Sequence, residues 1–420
     1  MCLQLVKKLN DKILNDGLYD FFQKIELPLI DVLTDMELNG VYVDKDMMKK
    51  MSLWMENKLL LLSKEIFKIS GKEFNINSPK QLSEILFDEI GLKQVKKRST
   101  DVTVLEFLKN THPLPKKILE YRTIQKLKST YVDTLPELIN KETGRIHTSF
   151  SQTITSTGRL SSSNPNFQNI PIRTDEGREI RKSFIAQKEN WKIFSADYSQ
   201  VELRMMAHFS NDIGLIDAFK NSIDVHSKTA SLVYNVPIEL VQPEMRRTAK
   251  VVNFGIMYGA GAFRIGQELG IPRNEASMLI ESYFQQYPGI QNYIDSTCSM
   301  AREKKYVETI LGRRRPIWDA DSDNGLRRQA AERMAINMPI QGSSAEMIKI
   351  AMIRIAEEIS KLNLRSKLVL QIHDELIFEF PSEEEEVLVE LVIDKMENAM
   401  KLNVPIVVDY GIGNSWYDAH

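Results

Sequence analysis

Cysteine is nearly absent: Cys2 and Cys298 are the only two in 420 residues. A disulfide framework is therefore not expected, a reducing compartment is the default, and two cysteines so far apart make a poor zinc site. No apolar run approaches the roughly 18 residues of a membrane helix, and no basic-then-apolar leader opens the chain. Neither a membrane partner nor export is expected, and a cytoplasmic location follows. Repeats and low-complexity tracts are missing. So is a Walker loop: Gly259-Ala260-Gly261 lacks a following Gly-Lys-Ser/Thr, and no strand precedes these glycines as a dinucleotide fold would need. Net charge is scarce as well, at −2. What is present is an ordinary globular balance of 43% hydrophobic and 27% charged residues, in a chain long enough for two or three domains.

The small net charge hides a segregation. Residues 91–130 hold ten Lys or Arg, from Lys93 to Lys128, against three acidic residues, a net of +7. Residues 371–420 hold twelve Asp or Glu against Lys395 and Lys401, a net of −10. Such polarity suits a phosphate-facing basic surface with a separate acidic side; solvated helix faces are the other reading.

The first 140 residues read as helical, with a strand-like stretch at Val41-Tyr42-Val43 after the turn residues Asn39-Gly40. Ser78 or Asn77 is placed to cap a helix that Pro79 begins. Residues 95–103, basic and without apolar periodicity, read as a mobile loop, and Lys116 to Asn140 as one long helix. Ser, Thr, Asn and Pro crowd residues 150–175, which is loop chemistry. A strand is expected from Trp191 to Ala196, running into Asp197, and then a helix through Val201 and His208. Residues 211–320 read as mostly helical. Strands return at Lys367–Ile372, Leu376–Phe380 and Val404–Asp409. The expected fold is α+β, with one sheet between two helical subdomains.

Two constellations carry chemistry. Asp197 ends a hydrophobic strand and Asp374-Glu375 sits between two strands, where acidic residues are depleted. Each alone could be a cap or a hairpin turn. Together they suggest carboxylates side by side on one sheet, tolerable when divalent cations neutralise them. The second constellation is Arg246, Lys250, Phe254 and Tyr258. Successive steps of four residues drift by about 40°, so the four share one slowly turning helix face. Pro243 is placed to start this helix and Gly259-Ala260-Gly261 to end it. Cations followed by aromatics suit a triphosphate at one end and a stacked base and sugar at the other.

These segments resemble the signatures of family A DNA polymerases, in order. Asp197-Tyr198-Ser199-Gln200-Val201-Glu202-Leu203-Arg204 is similar to the first. Arg246-Arg247-Thr248-Ala249-Lys250 through Asn253-Phe254-Gly255 to Tyr258-Gly259 is similar to the second, and Gln371-Ile372-His373-Asp374-Glu375 to the third. Thr155 to Ser162 and Pro165 to Pro171 resemble the family's primer-template segment. The similarity runs from about residue 25 to the end of the chain, as in the polymerase portion of bacterial DNA polymerase I.

The resemblance implies a right-hand architecture, an antiparallel-sheet palm with helical fingers and thumb. It places the palm at residues 25–44, 141–210 and 326–420, the thumb at 45–140 and the fingers at 211–325. Residues 1–24 would be a remnant helix, too short to contain a proofreading exonuclease. By the same resemblance, Asp197 and Asp374 with the Tyr198 carbonyl hold two magnesium ions, for which manganese can substitute, and Glu375 assists. Arg246, Lys250, His373 and Gln200 attend the nucleotide, and Lys250 can protonate the leaving group. Arg204 is a phosphate or scaffold residue. Arg159, Asn169, Arg333, Asn337 and Gln341 touch primer-template DNA, and Glu202 beside Tyr258 excludes a ribose 2′-hydroxyl. Phe254 stands where some relatives carry Tyr, which implies poor use of dideoxynucleotides. The partners implied are primer-template DNA and deoxynucleoside triphosphates, with the protein a monomer associated with the nucleoid. A two-metal nuclease and a catalytically idle DNA-binding protein are the alternatives.

Overall fold

The computed structural model describes residues 2–171 and 174–420. Met1, part of the expected leading segment, lies outside them, and so does the side chain of Cys2. The chain forms two compact units. The first comprises Met1–Leu38, Ser149–Ser163 and Ser195–Gly411, and the second Asn39–Thr148, Asn164–Phe194 and Ile412–His420.

A four-stranded sheet runs in the order Lys367–Ile372, Glu375–Pro381, Trp191–Tyr198, Val408–Gly413, and most of its residues belong to the first unit. The hairpin of the first two strands is antiparallel, with Ile372 opposite Glu375. Only His373 and Asp374 are left for the turn, and His373 takes a left-handed φ of 55°. Both strands are buried along almost their whole length, which their continuous apolar runs require. Helices make up most of the rest, including one of 37 residues, Gly325–Lys361, that tolerates Pro339 in its interior.

A buried ionic cluster ties this unit together. Lys349, 1% exposed, donates to Glu26 Oε1 at 2.9 Å. Arg313 pairs with the same Glu26 oxygen, and its Nε stands 3.6 Å from Glu346 Oε1. Thr309 Oγ1 donates to Glu346 at 2.6 Å. Arg313 also lies against Gly158, whose φ is +80° and where an added Cβ would sit 2.6 Å from the guanidinium Nε. The segment leading to Arg159 therefore rests directly on this cluster.

In the second unit, Lys45–Ser70 is a helix capped by Asp44, whose carboxylate accepts from the amides of Asp46 and Met47. Met48, Met51, Met55, Leu59, Leu62 and Ile66 recur at three- and four-residue spacing and form its buried stripe. Ser78 caps the Pro79–Ser83 helix, as its sequence suggests. Trp416 stacks on the Arg181 guanidinium at 3.8 Å and meets Phe184 edge-on.

Several elements differ from expectation. The helix expected at Lys116–Asn140 spans Pro113–Leu127 and loosens into a π turn at Lys128–Val132 and a 3₁₀ turn at Leu135–Leu138. There Pro136 lacks the amide hydrogen that an α-helix would use. The last strand begins at Val408, not Val404, because Pro405 cannot donate to a ladder and its carbonyl is taken by Arg204. Val41 and Val43 make isolated bridges to Ile146 and Phe184 rather than a strand. Within the stretch 95–103, Arg98 is held by Asp88 through two bonds. The boundary expected after residue 24 falls inside a helical run from Tyr19 to Asn39. A short hairpin, Tyr306–Glu308 with Arg314–Pro316, interrupts a region that reads as helical.

Candidate active site

The strand Trp191–Tyr198 and the hairpin turn at Asp374 are neighbours: the Tyr198 amide donates to the Asp374 carbonyl at 3.3 Å. Asp197 and Asp374 thus stand on adjacent parts of the sheet. Asp374 keeps 28% of its side-chain surface open, and Arg159 Nη2 stands 3.4 Å from its Oδ1. Burial pushes its carboxyl up to about 6, against the pull of Arg159 and with a push from Glu202. Glu375 is buried and accepts from Ser195 Oγ at 2.6 Å, two residues before Asp197 on the same strand.

From Asp374 a chain of contacts leads outward. Arg159 Nη2 also donates to Glu202 Oε1 at 2.8 Å, and Glu202 Oε2 accepts from the Tyr258 hydroxyl at 2.5 Å. Burial and then the Glu202 carboxylate raise the Tyr258 phenol well above its ordinary range. Three residues from the three signatures, with Arg159 from the primer-template segment, are therefore joined side chain to side chain.

Tyr258 closes the helix Pro243–Met257, which has Pro243 in its first turn. Ala249, Val252, Asn253, Ile256 and Met257 are its buried face. Arg246, Lys250 and Tyr258 are exposed and Phe254 half-buried, so the sequence-predicted face is the open one. The Phe254 and Tyr258 rings stack with centroids 6.4 Å apart and planes 18° from parallel. Gly259, at φ +66°, ends the helix, and an added Cβ there would meet Arg333 Cγ at 2.8 Å. Arg333 is thereby set beside Tyr258. Arg333, Asn337 and Gln341 follow at four-residue spacing on the long helix, each half-buried, with Asn337 and Gln341 between buried neighbours. Asn337 Nδ2 is buried without a hydrogen-bond partner among the described residues.

Residues 45–418 match the family described as DNA polymerase family A. The chain belongs to DNA polymerase family A. This family A chain is 47% identical over 419 residues to DNA polymerase I of Bacillus subtilis, a match covering 99% of the chain and 48% of that relative. It is 46% identical to the thermostable DNA polymerase I of Thermus aquaticus, with 95% of the chain and 48% of the relative covered. The chain thus spans about half the length of these relatives. Its structure matches the POL domain of Pol1 from M. smegmatis, solved in complex with DNA primer-template and dNTP. That match has a TM-score of 0.95 and 41% identity, and it covers 99% of this chain and 74% of that one. The fold is the α+β fold of that domain.

The remaining predicted residues of the family A chain are dispersed in role. Gln200 takes a left-handed conformation at the start of the Val201–Ser210 helix. His373 is exposed in its turn, where its carbonyl accepts from Gln371 Nε2 at 2.5 Å. Arg204 is buried, donates to the carbonyls of Ser199 and Pro405 at 2.8 and 2.6 Å, and lies over Phe219. Asn169 is exposed on a 3₁₀ turn of the second unit. Sequence reading misses Asp224, which pairs with Arg246, and His226, whose ring stands 5.7 Å from Phe254. Asp224 carries a local signal, since Asp immediately before Val225, the first residue of an apolar-periodic stretch, is an N-cap pattern. No helix among the described residues is long and apolar enough to cross a membrane.

Proposed function

We propose that the chain is a template-directed DNA polymerase that adds deoxynucleotides to a primer 3′-hydroxyl. The observation that carries this reading is the line Asp374–Arg159–Glu202–Tyr258 beside the open Arg246–Lys250–Phe254 face. A pair of carboxylates suits either hydrolysis or phosphoryl transfer. A cationic and aromatic helix face running up to it suits a nucleoside triphosphate in particular, which favours transfer over a nuclease. The palm, thumb and fingers are read at the residue ranges the family resemblance implies.

Among the described residues no group of three or more His, Cys, Asp or Glu could hold a metal ion. Magnesium does not need one, because it keeps waters and takes ligands from substrate phosphates beside one or two carboxylates. The half-buried Asp374, with few donors around it, suits that role. Asp197 and Asp374 with the Tyr198 carbonyl would hold two such ions, which when bound supply activation of the primer hydroxyl and neutralise the departing pyrophosphate. Arg246 and Lys250 bind and orient the triphosphate, and Lys250 can hand a proton to the leaving oxygen. Phe254 and Tyr258 present ring faces to the base and sugar. Asn337, with a free amide donor, and its neighbours Arg333 and Gln341 can meet minor-groove acceptors, which every base pair offers. Incorporation of the complementary nucleotide alone, on each of four template bases, supports the reading; untemplated or absent incorporation overturns it.

Two predictions arise here. Glu202, pinned between Arg159 and Tyr258, fills the space that a 2′-hydroxyl would need. Glu202→Ala is expected to raise ribonucleotide use relative to deoxynucleotides by roughly 10²-fold, the scale at which one small group is excluded by packing. Glu202→Gln, which keeps the bulk, should stay strict. Unchanged selectivity in the alanine variant, measured by single-nucleotide incorporation, removes the assignment. Phe254→Tyr adds a hydroxyl beside the sugar site and is expected to improve dideoxynucleotide use, read as earlier chain termination at equal nucleotide ratios. A termination pattern identical to the parent's counts against it.

A further inference from the structure

The anion-binding end of the open helix face already holds an anion. Arg246 Nε donates to Asp224 Oδ1 at 3.0 Å and its Nη2 to Oδ2 at 2.9 Å, a bidentate pair between residues 22 apart in sequence. Asp224 is fixed by its own role: it caps the Val225–Tyr234 helix, and Oδ1 accepts from the Ser227 amide at 2.7 Å. The same helix start packs against the Pro243–Met257 helix: Asn253 Nδ2, on its buried face, is 3.0 Å from His226 Nδ1, and the His226 ring stands 5.7 Å from that of Phe254. Arg246 and Asp224 keep 45% and 36% of their side chains exposed, so solvent and ligands reach the pair.

We propose that Asp224 is a resident counter-ion of Arg246, which the phosphates of an incoming nucleotide must displace, and that it thereby sets nucleotide affinity. The inference rests on the proposed polymerase reading. The carboxylate occupies the Nε and Nη2 fork of Arg246, so a phosphate that takes that fork in bidentate fashion must displace it. Burial pushes the Asp224 carboxyl up, but Arg246 and Ser227 outweigh it and bring it down to about 2, so the competitor is ionised at any working pH. An exposed pair is worth little and is screened by salt, so a multiply charged triphosphate can replace it. Asp224 is in this sense a positioning residue: it holds the guanidinium in place in the free protein and lowers affinity for every ligand that needs it.

Asn caps a helix about as well as Asp, so Asp224→Asn removes the charge while keeping the cap. The test is an equilibrium titration of the complementary deoxynucleoside triphosphate onto the full chain bound to a duplex with a 3′-deoxy-terminated primer, in magnesium. Asp224→Asn is expected to tighten binding roughly two- to five-fold, the range such a pair spans. Asp224→Glu should return it toward the parent value. In an Arg246→Ala background Asp224→Asn should change nothing, because the competed donor is gone. Unchanged or weaker binding by Asp224→Asn, or an equal gain without Arg246, overturns the counter-ion role and leaves a capping role. If the parent chain binds no nucleotide on a duplex it does bind, the polymerase reading fails, and this inference falls with it.

Discussion

Asp374→Ala is expected to lower single-nucleotide incorporation by on the order of 10³-fold or more, while duplex binding changes little. A carboxylate that holds a divalent ion stabilises the transition state by several kcal/mol, and about 1.4 kcal/mol is a tenfold change in rate. The fold should survive the change. Asp374 sits in a two-residue turn whose backbone pairing to Tyr198 needs no side chain, and Arg159 keeps its 2.8 Å partner Glu202. Rapid-quench incorporation and duplex affinity, measured on the same preparation, separate the two effects. A variant that retains a tenth of the parent rate places the ion elsewhere. One that loses duplex binding in proportion to rate makes Asp374 a structural residue.

Lys349→Met is expected to destabilise the first unit by about 3–5 kcal/mol, the cost of removing one partner from a buried ion pair. Lys349 is 1% exposed and stands with Arg313 opposite Glu26 and Glu346; without it two carboxylates share one cation. Urea unfolding should show a lower midpoint with an unchanged slope. A change below about 1 kcal/mol contradicts the buried pair, since that is what an exposed one contributes. The same cluster gives a pH signature. Burial pushes Glu346 up to about 7, with Thr309, Arg313, the Leu311 amide and Lys349 opposing. A carboxyl whose folded pKa exceeds its unfolded value binds more protons when folded. Its stabilisation is therefore full below the ordinary 4.5 and is lost as pH rises through about 7. Glu346→Gln should remove that slope and gain on the parent between pH 5 and 8; a parallel profile would set the titration elsewhere.

The residues that declare themselves in the sequence are those that break a local rule. Asp197 and Asp374 interrupt apolar strands, and the Pro243 helix is bounded by Pro at one end and Gly259 at the other, so strand, turn and open face are all legible. What escapes is tertiary. Lys349 and Glu26 lie 323 positions apart and meet only because the chain folds back. Asp224 reads as a cap, and nothing local says that its carboxylate also reaches Arg246. Glu375, adjacent to Asp374, is buried and accepts from Ser195, two residues before Asp197 on the neighbouring strand, a pairing that no local pattern announces. Three-residue strands such as Tyr306–Glu308 offer too few alternating positions to be distinguished from helix ends.

The most direct test of the polymerase reading follows a labelled primer on its template in magnesium, with and without the four deoxynucleoside triphosphates. Stepwise lengthening that needs the nucleotides, with the primer intact when they are withheld, is the predicted result. Shortening of the primer without nucleotides, and no lengthening with them, would contradict it and make the paired carboxylates those of a nuclease.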